Sequence, residues 1–398
     1  MSQADRIKPG RNAVEKAKAV KRRRGYIRGL YVLIPVIAAV FFAIACLVSP
    51  NREFSDGENR NLAQFPKASG QSLMDGSFFK GINDYYSDQF VFRDQWISLK
   101  SGVDVARGQR IENGVIVGSG GYLFAEPEEP LKEAYEKNNS AINSFADGHP
   151  DIHISMILAP AAANILKDKV PGNIYVRDQM ADVDEFGKRL SDKISFINAG
   201  NLLSEKKDEY IFYRTDHHWT SNGAKTVVDG SAENLGIKAD TEDFDKYTVT
   251  EDFYGTLSSK SGLGTAKDSI DVFASKKDVE YYVRYADENI ISSSMFNSEK
   301  LEEKDKYTVF FGGNHPLVEI HTTAQTGKNL LLFKDSYANS IVQFIYPYYD
   351  NIIMVDPRYY YEDISQVIKN NKISDVLFCY SGNILFTDVS LSDCLEGA

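Results

Sequence analysis

What this chain lacks narrows its reading before any motif is considered. Beyond its N-terminal tail it lacks a basic surplus: residues 1 to 28 carry ten Lys or Arg against Asp5 and Glu15, a net +8, so the rest of the chain holds −19 of a total of −11. That acidic balance argues against nucleic acid as a partner. No internal repeat or extended low-complexity tract occurs, and 43% of the 398 residues are hydrophobic, so a folded core is expected rather than disorder. Cysteine is scarce, with three in all. Cys46 lies in an apolar run, while Cys379 and Cys394 allow one disulfide outside the cell; Cys379, inside Val376-Leu377-Phe378-Cys379-Tyr380, reads equally as a buried strand residue.

Charge is missing altogether from Gly29 to Asn51, and Leu30 to Val48 is almost continuously apolar, long enough to span a bilayer's hydrocarbon core. The basic residues ahead of it place the tail in the cytoplasm by the positive-inside rule. The expected organisation is a cytoplasmic tail over 1–28, a transmembrane helix over 29–49 and an extracytoplasmic remainder, a single-pass protein of the cell membrane. A cleaved signal peptide shares the basic-then-apolar pattern. Against it, the run is long and lacks a clear small-x-small site before a polar start; Ala43-Ile44-Ala45-Cys46 is only a faint match. Lys21-Arg22-Arg23-Arg24 beside this run reads as a topology signal in contact with anionic lipid.

After the span, residues 50–120 read as a stalk with one or two helices. Asn113-Gly114, between Ile111 and Val115-Ile116-Val117, marks a hairpin. From 121 to 398 short apolar runs alternate with amphipathic segments: strands at His153 to Ala159, Ile194 to Ile197, Asn329 to Phe333, Asn351 to Val355 and Asp375 to Phe378, with helices near Met180 to Ser191, Ser221 to Leu235, from about Tyr337, and near Tyr361 to Asn370. This alternation predicts an α/β domain with a parallel sheet. It lapses over about 240–325, where Thr, Ser, Tyr, Asp and Lys dominate and strand-like pieces such as Val279 to Val283 and Tyr307 to Phe311 suggest a β-rich insertion or covering layer.

Two short motifs carry chemistry. Lys334-Asp335-Ser336-Tyr337 follows the buried-strand run Leu330 to Phe333, at the carboxyl end of a strand where α/β sheets place their ligand sites. A serine on such a turn is a candidate nucleophile, and a following helix N-terminus helps hold an oxyanion; alternatively Asp335 or Ser336 is an N-cap. The second motif, Thr215-Asp216-His217-His218-Trp219-Thr220, holds two of only six histidines. In an extended segment Asp216 and His218 project to one side, within reach of a carboxylate–imidazole bond, and His217 faces away. A serine needs an imidazole to take its proton, and the imidazole needs a carboxylate to fix its tautomer. Other readings of the cluster are metal ligation, for which carboxylate-rich partner motifs are missing, and a hydrogen-bonded histidine pair under a Trp219 lid. Gly312-Gly313-Asn314-His315 offers the Asn314 amide to an oxyanion or forms a glycine turn with Asn in a left-handed conformation.

The Asp-His-His-Trp tetrad resembles the DHHW protein family. The likeness extends through Glu58-Asn59-Arg60 with Phe65-Pro66, Asp88-Gln89-Phe90 with Arg93, Phe253-Tyr254-Gly255-Thr256-Leu257, Gly312-Gly313-Asn314 and Lys334-Asp335-Ser336-Tyr337. That family is in turn similar to the SGNH-like O-acetyltransferases of alginate and cellulose acetylation. The resemblance implies an SGNH-hydrolase-like, flavodoxin-like fold with permuted motif order. It also implies Asp216, His218 and Ser336 as a triad, an acyl-serine intermediate and a polysaccharide acceptor. No cofactor or metal is expected. A membrane-bound O-acyltransferase supplying acetyl is the implied partner. His217, Trp219, Asn314, Asp335 and Tyr337 are candidates for contacts to the substrate or the oxyanion. One departure is Lys334-Asp335 where the acetyltransferases more often have Gly-Thr or Gly-Asp. Two further functions remain open: a carbohydrate esterase using the same centre, and a non-catalytic glycan-binding or scaffold protein of an export complex.

Overall fold

The computed structural model describes residues 11–55, 58, 60–238 and 243–397. The first ten residues of the expected basic tail and the expected start of the insertion near 240 lie outside them. The chain divides into two compact units, 1–55 with 60–96, and 56–59 with 97–398.

The first unit begins with α1 (Arg11–Val48), a 38-residue helix. Its segment Lys18–Val48 has a mean hydropathy of 2.8 at its most apolar and is unburied, so by length and composition it is a candidate membrane span or signal sequence. Pro35 lies within it, a position that transmembrane helices tolerate better than helices in water. Beyond α1, the unit carries α2 (Ser77–Asp88) and the start of α3 (Arg93–Ala106). It is tied together by polar contacts. Arg60 clamps Asp88 through bonds of 2.9 and 2.7 Å, and this guanidinium holds the Asp88 carboxyl down at about 2.

In the second unit, the hairpin signal is realised. β1 (Ile111–Glu112) and β2 (Val115–Val117) pair across Asn113 and Gly114, both with positive φ, 49° and 72°, as the tight primed turn demands. β3 (Leu123–Ala125) adds a third strand, and its Leu123 N–H donates to Arg214 O at 2.7 Å. A small sheet thereby braces the loop that carries the histidines.

The main sheet has eight strands. In chain order they are β4 (His153–Ala159), β5 (Ile194–Asn198), then, past a two-strand ladder of β6 (Phe244–Phe253) and β7 (Asp268–Ser275), β8 (Tyr281–Tyr285), β9 (Ile290–Ser292), β10 (Leu317–Thr322), β11 (Asn329–Lys334), β12 (Asn351–Val355) and β13 (Asp375–Ser381). Their spatial order is β9-β8-β10-β12-β11-β13-β4-β5. Strands β12, β11, β13, β4 and β5 run parallel, and their cores are uninterrupted apolar runs because both faces are covered. One face packs on α4 (Lys132–Gly148) and α5 (Gln179–Lys188), around Phe145, Phe186 and Phe386. The other packs around Trp219 with α6 (Ser221–Ser231).

The expected parallel sheet is therefore a mixed one. Strands of the β-rich stretch do not merely cover it: β10 pairs antiparallel with β12, and β8 and β9 extend that edge. The alternating burial of β10 explains why it reads differently from the parallel strands; among the described residues of this stretch, β6 and β7 form a ladder of their own. Tyr307 to Phe311 is not a strand. Lys306–Val309 is a 3-10 turn, and Phe311, Gly312 and Gly313 all take positive φ (62°, 78° and 130°), which ends any extended run. The segment from Tyr337 is likewise no regular helix: Ser336–Ser340 is a 3-10 turn leading into the short helix Val342–Ile345. Cys379 and Cys394 are free thiols, both pushed up by burial, Cys394 to about 12.

Candidate active site

The Asp-His-His-Trp segment is the tip of a hairpin. Phe212 bridges Trp219 in antiparallel fashion, Thr220 N–H donates to Ile211 O at 2.9 Å, and Thr220 then caps α6 through a 3.2 Å bond from Gly223 N–H. Asp268, buried at the start of β7, fixes the approach to the tip. Its carboxylate accepts from Arg214 N–H, Thr215 N–H and the Thr215 and Tyr210 hydroxyls at 2.6–2.9 Å.

At the tip, Asp216 Oδ1 lies 2.6 Å from His218 Nδ1, and His218 Nε2 lies 2.7 Å from Ser336 Oγ. Residues 118 positions apart thus form one continuous chain of hydrogen bonds. Because a buried carboxylate accepts at Nδ1, the imidazole carries its proton there and offers the Nε2 lone pair to the serine hydroxyl. Burial pushes the Asp216 carboxyl up. The neighbouring His217 and His218, a bond from His218 and the Thr256 N–H outweigh that and hold it well below the usual carboxylate range. Asp216 Oδ2 also accepts from the Thr256 N–H and hydroxyl, at 2.8 and 2.9 Å, so the carboxylate is saturated with donors and locked in orientation.

Gly255 makes that contact possible. A Cβ there would stand 2.3 Å from Asp216 Cβ, so only glycine lets the loop Phe253-Tyr254-Gly255-Thr256 reach the carboxylate.

His217 does not face away. A turn, not a strand, carries the pair, and the two rings stand with centroids 3.8 Å apart. With the Thr256 hydroxyl proton committed to Asp216, its oxygen accepts from His217 Nδ1–H at 2.8 Å. Burial and then the adjacent His218 push His217 down to about 4, leaving a neutral imidazole on the wall of the neighbouring cavity. Asp216, His217 and His218 present ligand atoms within 4.8 Å of one another, but the Asp216 and His218 atoms are turned toward each other and Ser336.

The remaining candidates separate into site and support. Trp219 is no lid: it is fully buried, and its Nε1–H donates to Tyr337 O and Ser340 Oγ at 3.0 and 2.9 Å, pinning the Ser336 turn from below. Tyr337 packs edge-on against it, ring centroids 4.9 Å apart, and donates its hydroxyl to His217 O. Asp335 is the N-cap. It accepts from Tyr337 N–H at 2.9 Å and from the Ser381 N–H and hydroxyl at 2.8 and 2.7 Å, so its carboxylate is spent inside the fold. Asn314 is exposed, and its amide oxygen accepts from Lys334 Nζ at 3.2 Å and, more weakly, from Asn339 at 3.4 Å. With the oxygen so held, its NH₂ points the other way.

Two participants escaped the sequence reading. Tyr307 stacks on His218, centroids 3.9 Å apart and planes within 8°, and donates its hydroxyl to Ser336 O at 3.0 Å. No sequence signal marks it, since it lies in an apolar run that reads as strand. Lys334 turns inward with only 2% exposure. Its ammonium donates to Asn339 Oδ1 at 2.9 Å and faces Asp356 at 3.5 Å, and burial lowers its pKa. The lysine two residues before Ser336 therefore changes the floor of the candidate site rather than its mouth.

A cavity of about 210 Å³ opens beside His217 and Tyr337. Leu123, Phe124, Ala125, Ala161, Ala162 and Leu257 form its apolar wall, with Thr256, Lys260 and Asn383 among its polar groups.

A family model described as DHHW protein matches residues 150–355, just over half of the chain. Among curated proteins, the probable alginate O-acetylase AlgJ of Pseudomonas aeruginosa is 23% identical over 191 residues, 45% of this chain and 46% of the relative. The chain spans about half the length of the curated relatives it matches. Among solved structures, a DHHW family protein from Eubacterium siraeum superposes with a TM-score of 0.61 at 21% identity, covering 71% of this chain and 95% of the other. Bacillus cereus PatB1, solved with a sulfonyl adduct, gives 0.58 at 20% identity over 69% and 97%. At these identities the likeness concerns the fold.

Proposed function

The chain belongs to the DHHW protein family, and from that premise we infer that it is a membrane-anchored, extracytoplasmic O-acetyltransferase that modifies a cell-surface or secreted polysaccharide. The observation that carries this reading is the continuous Asp216–His218–Ser336 hydrogen-bond chain at 2.6 and 2.7 Å. In the first half-reaction His218 Nε2 takes the Ser336 proton as Oγ attacks the donor's acetyl carbon; the leaving alkoxide departs with that proton, and acetyl-Ser336 remains. In the second, His218 takes a proton from a sugar hydroxyl as its oxygen attacks the ester carbonyl, and gives that proton to Ser336 Oγ as the serine leaves, so that the acetylated sugar and free enzyme result. Asp216, saturated by Thr256, stabilises the imidazolium in both.

As oxyanion donors we propose the Asn314 NH₂ and the N–H of Ser336. Among the described residues the Ser336 N–H has no protein acceptor, whereas the N–H of Tyr337 is taken by Asp335. Counting the five parallel strands from β11 gives the spatial order 2-1-3-4-5, that of flavodoxin-like doubly wound sheets. We read the fold as that sheet with its chain circularly shifted, so that the nucleophile follows the first strand at the point where the order reverses. The AlgJ relatives are named as probable alginate O-acetylases, which supports a polysaccharide acceptor; the acetyl supplier is proposed to be a membrane-bound O-acyltransferase.

The discriminating experiment incubates the full chain in detergent with a nitrophenyl acetate donor and acetyl-free polysaccharide fragments. Ser336-dependent acetylation of the fragments supports the transferase. Release of acetate alone at every acceptor concentration supports the esterase, and neither reaction supports a binding or scaffold role.

A further inference from the structure

The first unit has almost no core. Among the described residues from Asn51 to Trp96, the only buried hydrophobic one is Leu62. Phe54, Phe65, Met74, Phe79, Tyr86, Phe90, Phe92 and Trp96 are instead between 40% and 92% exposed. Polar clamps hold the segment together, chiefly Arg60 on Asp88 and Gln89 on the Arg52 and Ala63 backbone. Seven exposed aromatics and a methionine in so short a segment mark a surface with a partner. What that partner is follows from α1. Phe42, inside the apolar run, stacks on Phe90 with centroids 6.0 Å apart and meets Trp96 edge-on at 5.7 Å. Phe42 is six residues before the last residue of α1, roughly 9 Å along the helix axis. A side chain that touches it stands at the depth of the apolar run.

Resting on the reading of α1 as a retained span, we propose that the aromatic face of residues 60–96 lies in the interfacial layer of the bilayer. Phe90 and Trp96 reach the hydrocarbon boundary, and the neighbouring aromatics sit at headgroup level, where amphipathic rings are favoured. The juxtamembrane segment is then not a hydrated stalk but a second, monotopic contact with lipid.

The chain's two tryptophans make the test direct, because Trp219 is fully buried and Trp96 is 43% exposed. The full chain is reconstituted into phosphatidylcholine vesicles with ordinary or acyl-brominated lipid, and the Trp96 emission is taken as the difference between the parent and Trp96→Phe. The proposal expects brominated lipid to remove at least about half of that emission and aqueous acrylamide to quench it poorly. Equal Trp96 emission in both lipids, with free acrylamide quenching, overturns it and leaves a water-facing surface for a protein partner. Alkaline carbonate extraction of the same vesicles separates the two failures. Protein that stays in the membrane with Trp96 unquenched refutes the aromatic contact alone, whereas protein that is extracted refutes the span and the contact with it.

Discussion

At the scale of single residues, the proposed site is one hydrogen-bonded chain, Asp216–His218–Ser336, held by further contacts to which the proposal gives no chemistry. Ser336→Ala and His218→Ala each remove a proton-transfer partner and are expected to abolish turnover while leaving the melting temperature within a few degrees, measured by initial rates beside thermal melts. Asp216→Asn is expected to cost a factor on the order of 10³ to 10⁴ in kcat, because an amide in place of the carboxylate favours the wrong imidazole tautomer. Tyr307→Phe removes the bond to Ser336 O but keeps the ring on His218; its expected cost is about 1 kcal/mol of stability, read by denaturant unfolding. His217 carries a pH signature. Its folded pKa, about 4, lies below that of an unfolded histidine near 6.5, so the unfolded chain binds more protons between those values and stability falls as pH drops through that window. His217→Gln is expected to flatten that part of the melting-temperature profile; an unchanged slope would show that another group sets it.

Elements explain why those residues meet. The strand β11 delivers Ser336 at its carboxyl end, the hairpin 211–220 delivers Asp216 and His218, and the loop before Thr256 closes over both. The first two were legible: a buried run ending in Asp-Ser is a strand-to-turn signal, and Asp-x-His is a local carboxylate–imidazole pair. What the spacing of Asp216 and His218 does not reveal is that the tip bends, and this bend brings His217 beside His218. Tyr307 and the inward turn of Lys334 were illegible for a different reason. They depend on contacts 29 residues away for Tyr307 and 20 for Lys334, with no local periodicity to announce them. The Gly255 loop is the tightest of these joints. Gly255→Ala is expected to destabilise by about 2 kcal/mol through overpacking against Asp216, and to lower kcat with it. Lys334→Met removes one cation from Asp356 and leaves Arg358 beside it, and removes the shorter of the two bonds that hold the Asn314 oxygen. Reduced kcat with little change in KM is expected, measured by steady-state kinetics, whereas an unchanged kcat would separate the Lys334 floor from the oxyanion.

On the scale of the whole molecule, the proposal has an acidic domain working outside the cell, with the basic tail and apolar helix as its membrane anchor. The α/β class and the parallel strands followed from apolar runs of strand length, which only a sheet covered on both faces can bury. The antiparallel edge did not, because β8, β9 and β10 are half-exposed and resemble an insertion until their partner is known. The acyl-enzyme is the central claim, and intact-mass spectrometry of the full chain in detergent after exposure to an activated acetyl ester tests it most directly. The account predicts an added mass of about 42 Da in the parent, mapped to Ser336 and missing from Ser336→Ala. An adduct on another residue, or an equal adduct on Ser336→Ala, would contradict it.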